Sequence, residues 1–391
     1  MRNHIVIVSE ESVHAGYYKC GIGEVVDCMA AALRDFYDVT VITVGTRAGG
    51  RLGSTITCGV EGEEFLQRAA EHVNMICPDL VHNFASPALI EWLTVSCPKI
   101  LTFDRWEEDA AGHLDVIPKY DHVTTMSTAY ADEMKAIHPE AAAWPLKGII
   151  GAIDGGLYCV HNGIWGSDES ARTKYYRYRG VEDTGKKLIV SMGRLLPIKG
   201  IQDIIDAAPD IAALGADLVI YGTGDAELEA QLTALSEAGV LTYYRRMVGY
   251  GEMMSALRGA DFYLMPSLSE VCGLQPMKAA RVGCVPIVRP VGGLGENFDE
   301  STAILITSTI SEAVSRALAL TDTEYQTIKK NCEGGSWTWE TRILPWVELY
   351  GLETAPREET SIVAPTLKNT TAEKPRVKSP FATIEEDDDN E

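Results

Sequence analysis

Short apolar runs alternate with amphipathic segments along most of this chain, and this alternation limits the possible folds more than any other property of the sequence. Apolar runs bounded by turn residues fit buried strands, and the amphipathic segments fit helices that cover a parallel sheet. The ten predicted strands are His4–Val8, Val39–Val44, Asp79–His82, Lys99–Phe103, His122–Met126, Lys187–Ser191, Asp217–Tyr221, Phe262–Met265, Val285–Arg289 and Ala303–Ile306. Because they form two sets of five, we predict an α/β fold with two Rossmann-like parallel-sheet domains that face a central cleft.

The chain length of 391 residues also favours two domains, because a single hydrophobic core rarely grows that large. The region Gly151–Thr184 lacks clear periodicity and contains the tyrosine-rich stretch Lys174–Arg179, so it is predicted to be a connection. The predicted domains are 1–165 and 166–335, followed by a short segment at 336–353 and a disordered acidic tail at 354–391.

The formal net charge of -22 at pH 7 restricts the partners of the chain. Nonspecific binding to nucleic acid or to an anionic membrane needs a basic surface that displaces counterions. The charge therefore disfavours both, and an anionic substrate would need a local cationic pocket.

Nine cysteines are scattered singly, without a Cys-x-x-Cys pair. This spacing predicts reduced thiols and argues against a zinc site and a disulfide framework. The first eight residues contain one arginine before an apolar run that is shorter than a signal-peptide core, and no later stretch is apolar enough to span a bilayer. We therefore expect a cytoplasmic protein.

A glycine turn with Lys19, Gly21 and Gly23 follows the first predicted strand. Apolar residues then recur at helical spacing, at Ile22, Val25, Val26, Met29, Ala30 and Leu33. Such a turn lets backbone N–H groups and the positive end of a helix face an anion, and glycine allows close approach. The alternative is tight packing without a ligand, because Gly-x-Gly often precedes a helix for that reason.

Two cations follow the strand predicted at Lys187–Ser191, namely Arg194 and Lys199. Ligands of open parallel sheets lie beyond the carboxyl ends of the strands, so both side chains are placed to clamp a diphosphate. A solvated surface pair is the alternative. Glu270 follows the strand at Phe262–Met265 and precedes a predicted helix, where a carboxylate serves either a cleft or a helix cap.

The second half of the chain resembles the C-terminal half of bacterial glycogen and starch synthases. The matching runs, in order, are Gly193-Arg194-Leu195 with Lys199-Gly200, Met265-Pro266-Ser267 with Glu270-Val271-Cys272-Gly273-Leu274, and Val288-Arg289-Pro290-Val291-Gly292-Gly293-Leu294. Further matches are Gly21-Ile22-Gly23-Glu24-Val25-Val26, Ser127-Thr128-Ala129-Tyr130-Ala131, Asn162-Gly163-Ile164, and Trp339-Glu340 with Glu348-Leu349-Tyr350. The resemblance runs from about Val8 to Tyr350.

This resemblance implies the two-domain glycosyltransferase architecture called GT-B. The domain at 1–165 would lie on the acceptor side, the domain at 166–335 would bind the nucleotide-sugar, and a closing helix at 336–353 would pack back on the first domain. The resemblance also implies transfer of glucose from ADP-glucose or UDP-glucose with retention at the anomeric carbon, without a metal or other cofactor. Arg194 and Lys199 would hold the diphosphate, and Glu270 would contact the donor sugar. Tyr250 would stack on the base, although a partly buried surface aromatic is its alternative. Backbone groups of the run Cys272-Gly273-Leu274 would bind sugar hydroxyls.

The first half departs from the family pattern in three places. Lys19 sits one residue closer to the glycine turn, and Cys20 occupies a glycine position. The family's His-x-His-Asp-Trp is replaced by His82-Asn83-Phe84-Ala85-Ser86, and its Thr-x-His-Asn is replaced by Thr102-Phe103-Asp104-Arg105. We hypothesise that Asp104 takes the place of the family histidine beside the transferred sugar, with a loop-capping aspartate as the alternative.

Three functions are compatible with these residues. The first is a retaining glucosyltransferase that extends an α-1,4-glucan, and the second is the same chemistry on a protein, a small molecule or a modified nucleic acid. The third is a noncatalytic nucleotide-sugar-binding protein, because a fold alone does not imply turnover. The nucleobase, the hexose, the acceptor and the oligomeric state stay open at this point.

Overall fold

The computed structural model describes residues 2–17, 21–45, 50–103, 112–137, 141, 146–149, 151–153, 170–179 and 182–354. Within them, two β-sheets form, each in its own half of the chain. We call the sheet of the first half and its helices the first domain, and the sheet of the second half and its helices the second domain. The predicted α/β fold with two parallel-sheet domains is therefore confirmed.

The first domain contains an eight-stranded sheet with the order β3-β4-β2-β1-β5-β6-β7-β8. Its strands are β1 (His4–Val8), β2 (Asp38–Thr43), β3 (Gly50–Leu52), β4 (Thr55–Thr57), β5 (Leu80–Asn83), β6 (Lys99–Phe103), β7 (His122–Thr125) and β8 (Leu146–Gly148). All neighbours pair in parallel except β3 and β4, which are antiparallel. The carboxyl ends of β1, β5, β6 and β7 therefore share one edge.

The second domain contains a six-stranded sheet with the order β11-β10-β9-β12-β13-β14, in which every neighbouring pair is parallel. Its strands are β9 (Leu188–Met192), β10 (Asp217–Tyr221), β11 (Thr242–Tyr244), β12 (Phe262–Met265), β13 (Val285–Val288) and β14 (Ile304–Leu305). The adjacent central strands β9 and β12 thus send their following loops to the same edge.

Helices connect most of the strands. In chain order they are α1 (Ile22–Leu33), α2 (Gly62–Ile76), α3 (Thr128–Ile137), α4 (Ala171–Arg179), α5 (Ile201–Ala213), α6 (Ala226–Glu237), α7 (Tyr250–Gly259), α8 (Leu274–Arg281), α9 (Gly292–Asn297), α10 (Ile310–Leu318), α11 (Asp322–Glu333), α12 (Trp339–Arg342) and α13 (Leu344–Tyr350). Among the described residues, no helix is both long and apolar enough to cross a lipid bilayer.

Side chains that alternate along the central strands bury both faces of the sheets. Ile5 and Ile7 belong to one buried cluster with α1, whereas Val6 and Val8 belong to another with α2. Neighbouring side chains of a strand point to opposite faces, so one continuously apolar strand supports helices on both sides. This burial explains why apolar runs predicted the central strands well.

Each of the ten predicted strands is present, with bounds within one residue of the prediction. The prediction missed β3, β4, β8 and β11, each of which has only three residues. It was also wrong to treat all of Gly151–Thr184 as a connection, because Ala171–Arg179 forms helix α4. Tyr175 of that helix is fully buried and packs against Gly259 of α7, so tertiary packing stabilises a segment with little helical periodicity.

The closing segment, helices α12 and α13, packs on the first domain. The Tyr350 hydroxyl lies 2.7 Å from Nδ1 of the fully buried His82 at the end of β5, and the Trp346 ring stacks on the same imidazole. Asn3 also binds the Glu353 carbonyl through its side-chain amide at 2.8 Å. Burial lowers the pKa of His82 to about 3, so the imidazole is neutral at pH 7. Residues 355–391, which include nearly all of the predicted acidic tail, lie outside the described residues.

Candidate active site

The loop after β9 carries Arg194 and Lys199, and its backbone is held by the neighbouring strand's loop. The N–H of Leu195 donates to the Thr223 carbonyl at 2.9 Å, and the Leu195 carbonyl accepts from Asp225 at 2.8 Å. A 3₁₀ turn at Pro197–Lys199 follows and ends at Gly200, which has a φ of 68°. Arg194 is partly buried, and among the described residues its guanidinium has no carboxylate partner.

Lys199 and Glu270 lie together, as expected for two residues of one site. The Lys199 ammonium is 2.6 Å from the Glu270 carboxylate, and the side chains are 24% and 13% exposed. The loops that carry them are joined by a hydrogen bond of 2.8 Å from the Leu268 N–H to the Ile198 carbonyl. Because the two groups follow adjacent strands, the topology of the sheet brings together residues that are far apart in sequence.

The glycine pair at 292 and 293 supports the Glu270 loop. The Gly293 N–H donates to the Glu270 carbonyl at 2.8 Å. A Cβ at Gly292 would lie 2.2 Å from the same carbonyl oxygen, and Gly292 has a φ of 47°. A side chain at position 292 would therefore displace the backbone of Glu270, which explains why glycines stand here.

The run Cys272-Gly273-Leu274 forms the start of helix α8. Gly273 is the N-cap residue, with a φ of 81°, and the N–H groups of Leu274 and Gln275 have no hydrogen-bond partner among the described residues. Pro276 has no N–H to offer. Unpaired amides at a helix start carry partial positive charge and donate to an oxygen-bearing ligand. This geometry is compatible with the predicted binding of sugar hydroxyls.

The predicted glycine turn of the first domain faces this helix start. Gly21 is the N-cap residue of α1, as expected, and a Cβ on it would lie 2.7 Å from Leu274 Cδ1. Gly23 instead packs inside its own domain, where a Cβ would lie 3.2 Å from Glu11 Cβ. The packing alternative therefore accounts for Gly23, whereas Gly21 lies at the cleft. Lys19 lies outside the described residues.

Tyr250 is the first residue of α7 and is partly buried. The Lys278 ammonium of α8 lies 5.9 Å from the centre of its ring. This places Tyr250 beside α8, the helix that begins with Leu274, but its stacking role stays a prediction. Asp104, the residue predicted to face the transferred sugar, lies outside the described residues, as does the adjacent Arg105.

Several cross-domain polar contacts at the cleft were not predicted from the sequence. Lys278 of α8 binds the Glu24 carboxylate of α1 at 2.5 Å. The Glu296 carboxylate of α9 accepts from the Ala129 N–H in the first turn of α3 at 2.5 Å. Lys278 occupies a buried position of a short helix, and a lysine at such a position is the one sequence signal that could have indicated a buried partner.

A third cross-domain connection is made by Arg342 and Asn297. One guanidinium nitrogen of Arg342 donates to the Gly151 carbonyl and to the Asn297 side-chain oxygen, each at 2.7 Å. The Asn297 amide in turn donates to the Cys272 carbonyl at 2.7 Å. The backbone of the predicted sugar-binding run is thus connected to the chain that follows β8.

Among the described residues, no three His, Cys, Asp or Glu side chains form a group that could hold a metal ion.

Known proteins resemble this chain in sequence. Residues 175–331 match the family described as "Glycosyl transferases group 1". The chain is 28% identical over 273 residues to the glycogen synthase of Xanthomonas campestris pv. campestris (strain 8004), covering 62% of this chain and 56% of that protein. It is 27% identical over 275 residues to the glycogen synthase of Roseobacter denitrificans, covering 59% of this chain and 56% of that protein. The chain therefore spans little more than half the length of these relatives.

Solved structures share the fold. The catalytic domain of starch synthase IV from Arabidopsis thaliana, bound to ADP and acarbose, has a TM-score of 0.73 and 15% identity, covering 90% of this chain and 99% of that one. Anabaena HepE in complex with UDP and glucose has a TM-score of 0.65 and 15% identity, and the match covers 89% of this chain and 99% of that one. The GT-B fold is confirmed, and so is the resemblance to glycogen and starch synthases.

Proposed function

We propose that this glycogen synthase-like chain, whose residues 175–331 match the group 1 glycosyl transferases, moves glucose or a related hexose from a nucleotide-sugar donor to a hydroxyl acceptor. The observation that carries the proposal is the Lys199–Glu270 contact of 2.6 Å at the carboxyl edge of the second sheet, with Arg194 on the same loop. These groups lie where open α/β sheets bind their ligands.

The two cations suit a departing diphosphate. When the bond between the sugar and the diphosphate breaks, negative charge grows on the leaving oxygen, and fixed positive groups stabilise that charge in the transition state. Lys199 is partly buried, and Arg194 has no carboxylate partner among the described residues, so its charge is available for a ligand. We therefore propose that the reaction needs no metal ion.

Glu270 would serve the sugar end of the donor. As the leaving group departs, positive charge develops at the anomeric carbon, and a nearby carboxylate stabilises it. Glu270 is only 13% exposed, so its electrostatic effect would be weakly screened by water. In this proposal Lys199 turns from Glu270 toward the diphosphate when the donor binds. The proposed transfer retains the configuration at the anomeric carbon, as the resemblance to glycogen and starch synthases implies.

The remaining predicted residues fit the two ends of the same ligand. The backbone amides of Leu274 and Gln275 would bind sugar hydroxyls, and the start of α1 at Gly21 would face the phosphates. Tyr250 would stack on the nucleobase. ADP-glucose and UDP-glucose are the proposed donors, which the ADP-bound starch synthase IV and UDP-bound HepE support by their shared fold.

An α-1,4-glucan is the proposed acceptor, because the curated relatives with about 28% identity are glycogen synthases. The purified protein should be incubated with ADP-glucose and with UDP-glucose, each with and without glycogen, while free nucleoside diphosphate is measured. An arm with EDTA tests the metal-independent reaction. Glycogen-dependent release supports the proposal, whereas donor binding without release under every condition contradicts it.

A further inference from the structure

An ion pair joins the two domains at the cleft. The Lys278 ammonium lies 2.5 Å from the Glu24 carboxylate, and the side chains are only 4% and 18% exposed. Glu24 stands in the first turn of α1 in the first domain, and Lys278 stands in α8 of the second domain. The two residues are separated by 254 positions in the sequence, so the pair exists only when the two helix starts are adjacent.

The surroundings of this pair connect it to the proposed donor site. Gly21 and Leu274 lie in contact one turn away from it, at the starts of the same two helices. The Lys278 ammonium also lies 5.9 Å from the centre of the Tyr250 ring. The pair is thus close both to the glycine turn proposed to face the phosphates and to the tyrosine proposed to stack on the base.

Burial makes this ion pair sensitive to the arrangement of the domains. A buried charge that loses its partner is destabilised unless water reaches it. If Glu24 or Lys278 is neutralised, the remaining charge favours an arrangement in which the cleft is wider and the charge is hydrated. A donor held by groups of both domains would then bind less tightly, because binding must first bring the domains back together.

We propose that Glu24 and Lys278 act as positioning residues that hold the two helix starts together around the nucleoside end of the donor. This inference rests on the proposed function, because it uses the donor site assigned there. Neither residue needs to touch the donor in this role. The pair would set the affinity for the nucleoside diphosphate part of the donor, with little influence on the bond-breaking step.

The test compares Glu24→Gln, Lys278→Met and the exchanged pair Glu24→Lys/Lys278→Glu in the full chain. We expect each single change to raise the Kd of ADP or UDP about tenfold and the KM of the sugar donor in parallel, with kcat changed less than about threefold. We expect the exchanged pair to bind more tightly than the weaker single variant. Amide hydrogen exchange should become faster in the first turns of α1 and α8 in both single variants.

A matched control is the exposed pair Glu64 and Arg68, which lies within α2 at 2.6 Å. Glu64→Gln and Arg68→Met should leave the Kd and the hydrogen exchange at the cleft unchanged, and melting temperatures verify that every variant folds. If Glu24→Gln binds ADP and UDP more tightly while Lys278→Met binds less tightly, Lys278 is a direct ligand and the positioning role is wrong. Unchanged Kd values and exchange rates in both folded single variants also overturn it.

The two proposals fail in different ways. Nucleoside diphosphate binding and hydrogen exchange do not require turnover, so they test the ion pair even if no sugar is transferred. Loss of the proposed function would appear as absence of nucleotide release from the unaltered protein. Failure of the ion-pair inference would appear as unaltered ADP and UDP binding in the Glu24 and Lys278 variants, whether or not the unaltered protein releases nucleotide.

Discussion

Gly21 and Leu274 face each other across the two domains so closely that a Cβ at position 21 would lie 2.7 Å from Leu274 Cδ1. The two residues begin helices of different domains, one on each side of the proposed donor site. Glycine at position 21 therefore sets how closely the helix starts approach. A diphosphate can approach the backbone N–H groups at a helix start closely when no side chain stands in the way.

We predict that Gly21→Val weakens donor binding more than it weakens the fold. The branched side chain overlaps Leu274, and overpacking of this kind costs about 1–3 kcal/mol. Because the overlap lies between domains, widening the cleft relieves it, so the Kd of ADP or UDP should rise about tenfold or more. Calorimetry measures the Kd, and the melting temperature shows whether the variant is still folded.

The control for this change is Gly112→Val, because a Cβ at Gly112 would meet no atom of the described residues within 4 Å. Gly21→Ala should have a smaller effect than Gly21→Val, since a leucine methyl group can turn away from one added carbon. Equal Kd values for Gly21→Val and the unaltered protein would show that position 21 does not set the approach of the helices.

The sequence predicted the central strands because they are buried on both faces, which requires continuous apolar runs. It did not predict the edge strand at Thr242–Tyr244, because its residues are all partly exposed and three positions are too few to show an alternation of apolar and polar residues. Nor did it predict helix α4, where Tyr175 is buried by contact with α7 and Tyr221. Tertiary packing decides such segments, and it is invisible in a local pattern.

In the candidate site, too, the contacts within one sheet could be predicted from the sequence, whereas the contacts between domains could not. The adjacency of Lys199 and Glu270 could be predicted because they follow parallel strands, and the ends of parallel strands share an edge. The Glu24–Lys278 contact could not be predicted, because it depends on how two separately folded sheets meet. Local sequence patterns specify each domain's own turns and helix starts but contain no information about cross-domain distances.

We predict that Arg194→Ala and Lys199→Ala each lower the rate of nucleotide release by about 10² to 10³. Each change removes a positive group from the departing diphosphate, so kcat should fall at saturating donor. The measurement is initial nucleotide release with the donor and acceptor that the unaltered protein uses. Activity within a factor of about two of the unaltered protein contradicts the diphosphate clamp.

Lys187→Ala is the matched control for Lys199→Ala. Both lysines flank the same strand, β9, and both bind a carboxylate, Lys187 at 3.0 Å from Asp261. Lys187 precedes the strand, however, and so lies at the opposite edge of the sheet from the proposed site. We expect Lys187→Ala to retain its kcat, which would separate loss of an ion pair from loss of a catalytic cation.

Acid should destabilise the first domain through His82. Burial lowers the pKa of His82 in the folded chain to about 3, from an ordinary value of 6.5. Below pH 6.5 the unfolded chain therefore takes up a proton that the folded chain does not, and the stabilisation present above pH 6.5 is lost as the pH falls toward 3. Between pH 7 and pH 5 this lowers the free energy of unfolding by about 2 kcal/mol.

Urea unfolding at pH 7 and pH 5 measures this effect, and His82→Gln provides the comparison. The variant is expected to be less stable at pH 7, but its free energy of unfolding should fall by about 2 kcal/mol less than that of the unaltered protein over the same pH interval. Equal losses in the two proteins would mean that His82 is protonated in the folded chain as readily as in the unfolded one.

Two neighbouring tyrosines offer the sharpest test of the closing segment. The Tyr350 hydroxyl lies 2.7 Å from the His82 imidazole, whereas the Tyr37 hydroxyl is buried without a hydrogen-bond partner among the described residues. The two rings lie 6.0 Å apart. Tyr350→Phe leaves an imidazole nitrogen unpaired in a buried site and should lower the free energy of unfolding by about 1–3 kcal/mol.

Tyr37→Phe removes a buried hydroxyl that makes no such bond within the described part of the chain, so we expect the free energy of unfolding to stay the same or to rise. Both variants lose one oxygen atom from the same aromatic cluster, and the measured difference between them therefore isolates the hydrogen bond to His82. Urea unfolding at pH 7 provides the measurement. If Tyr350→Phe and Tyr37→Phe change the stability equally, the bond between the closing segment and β5 contributes nothing beyond ring packing.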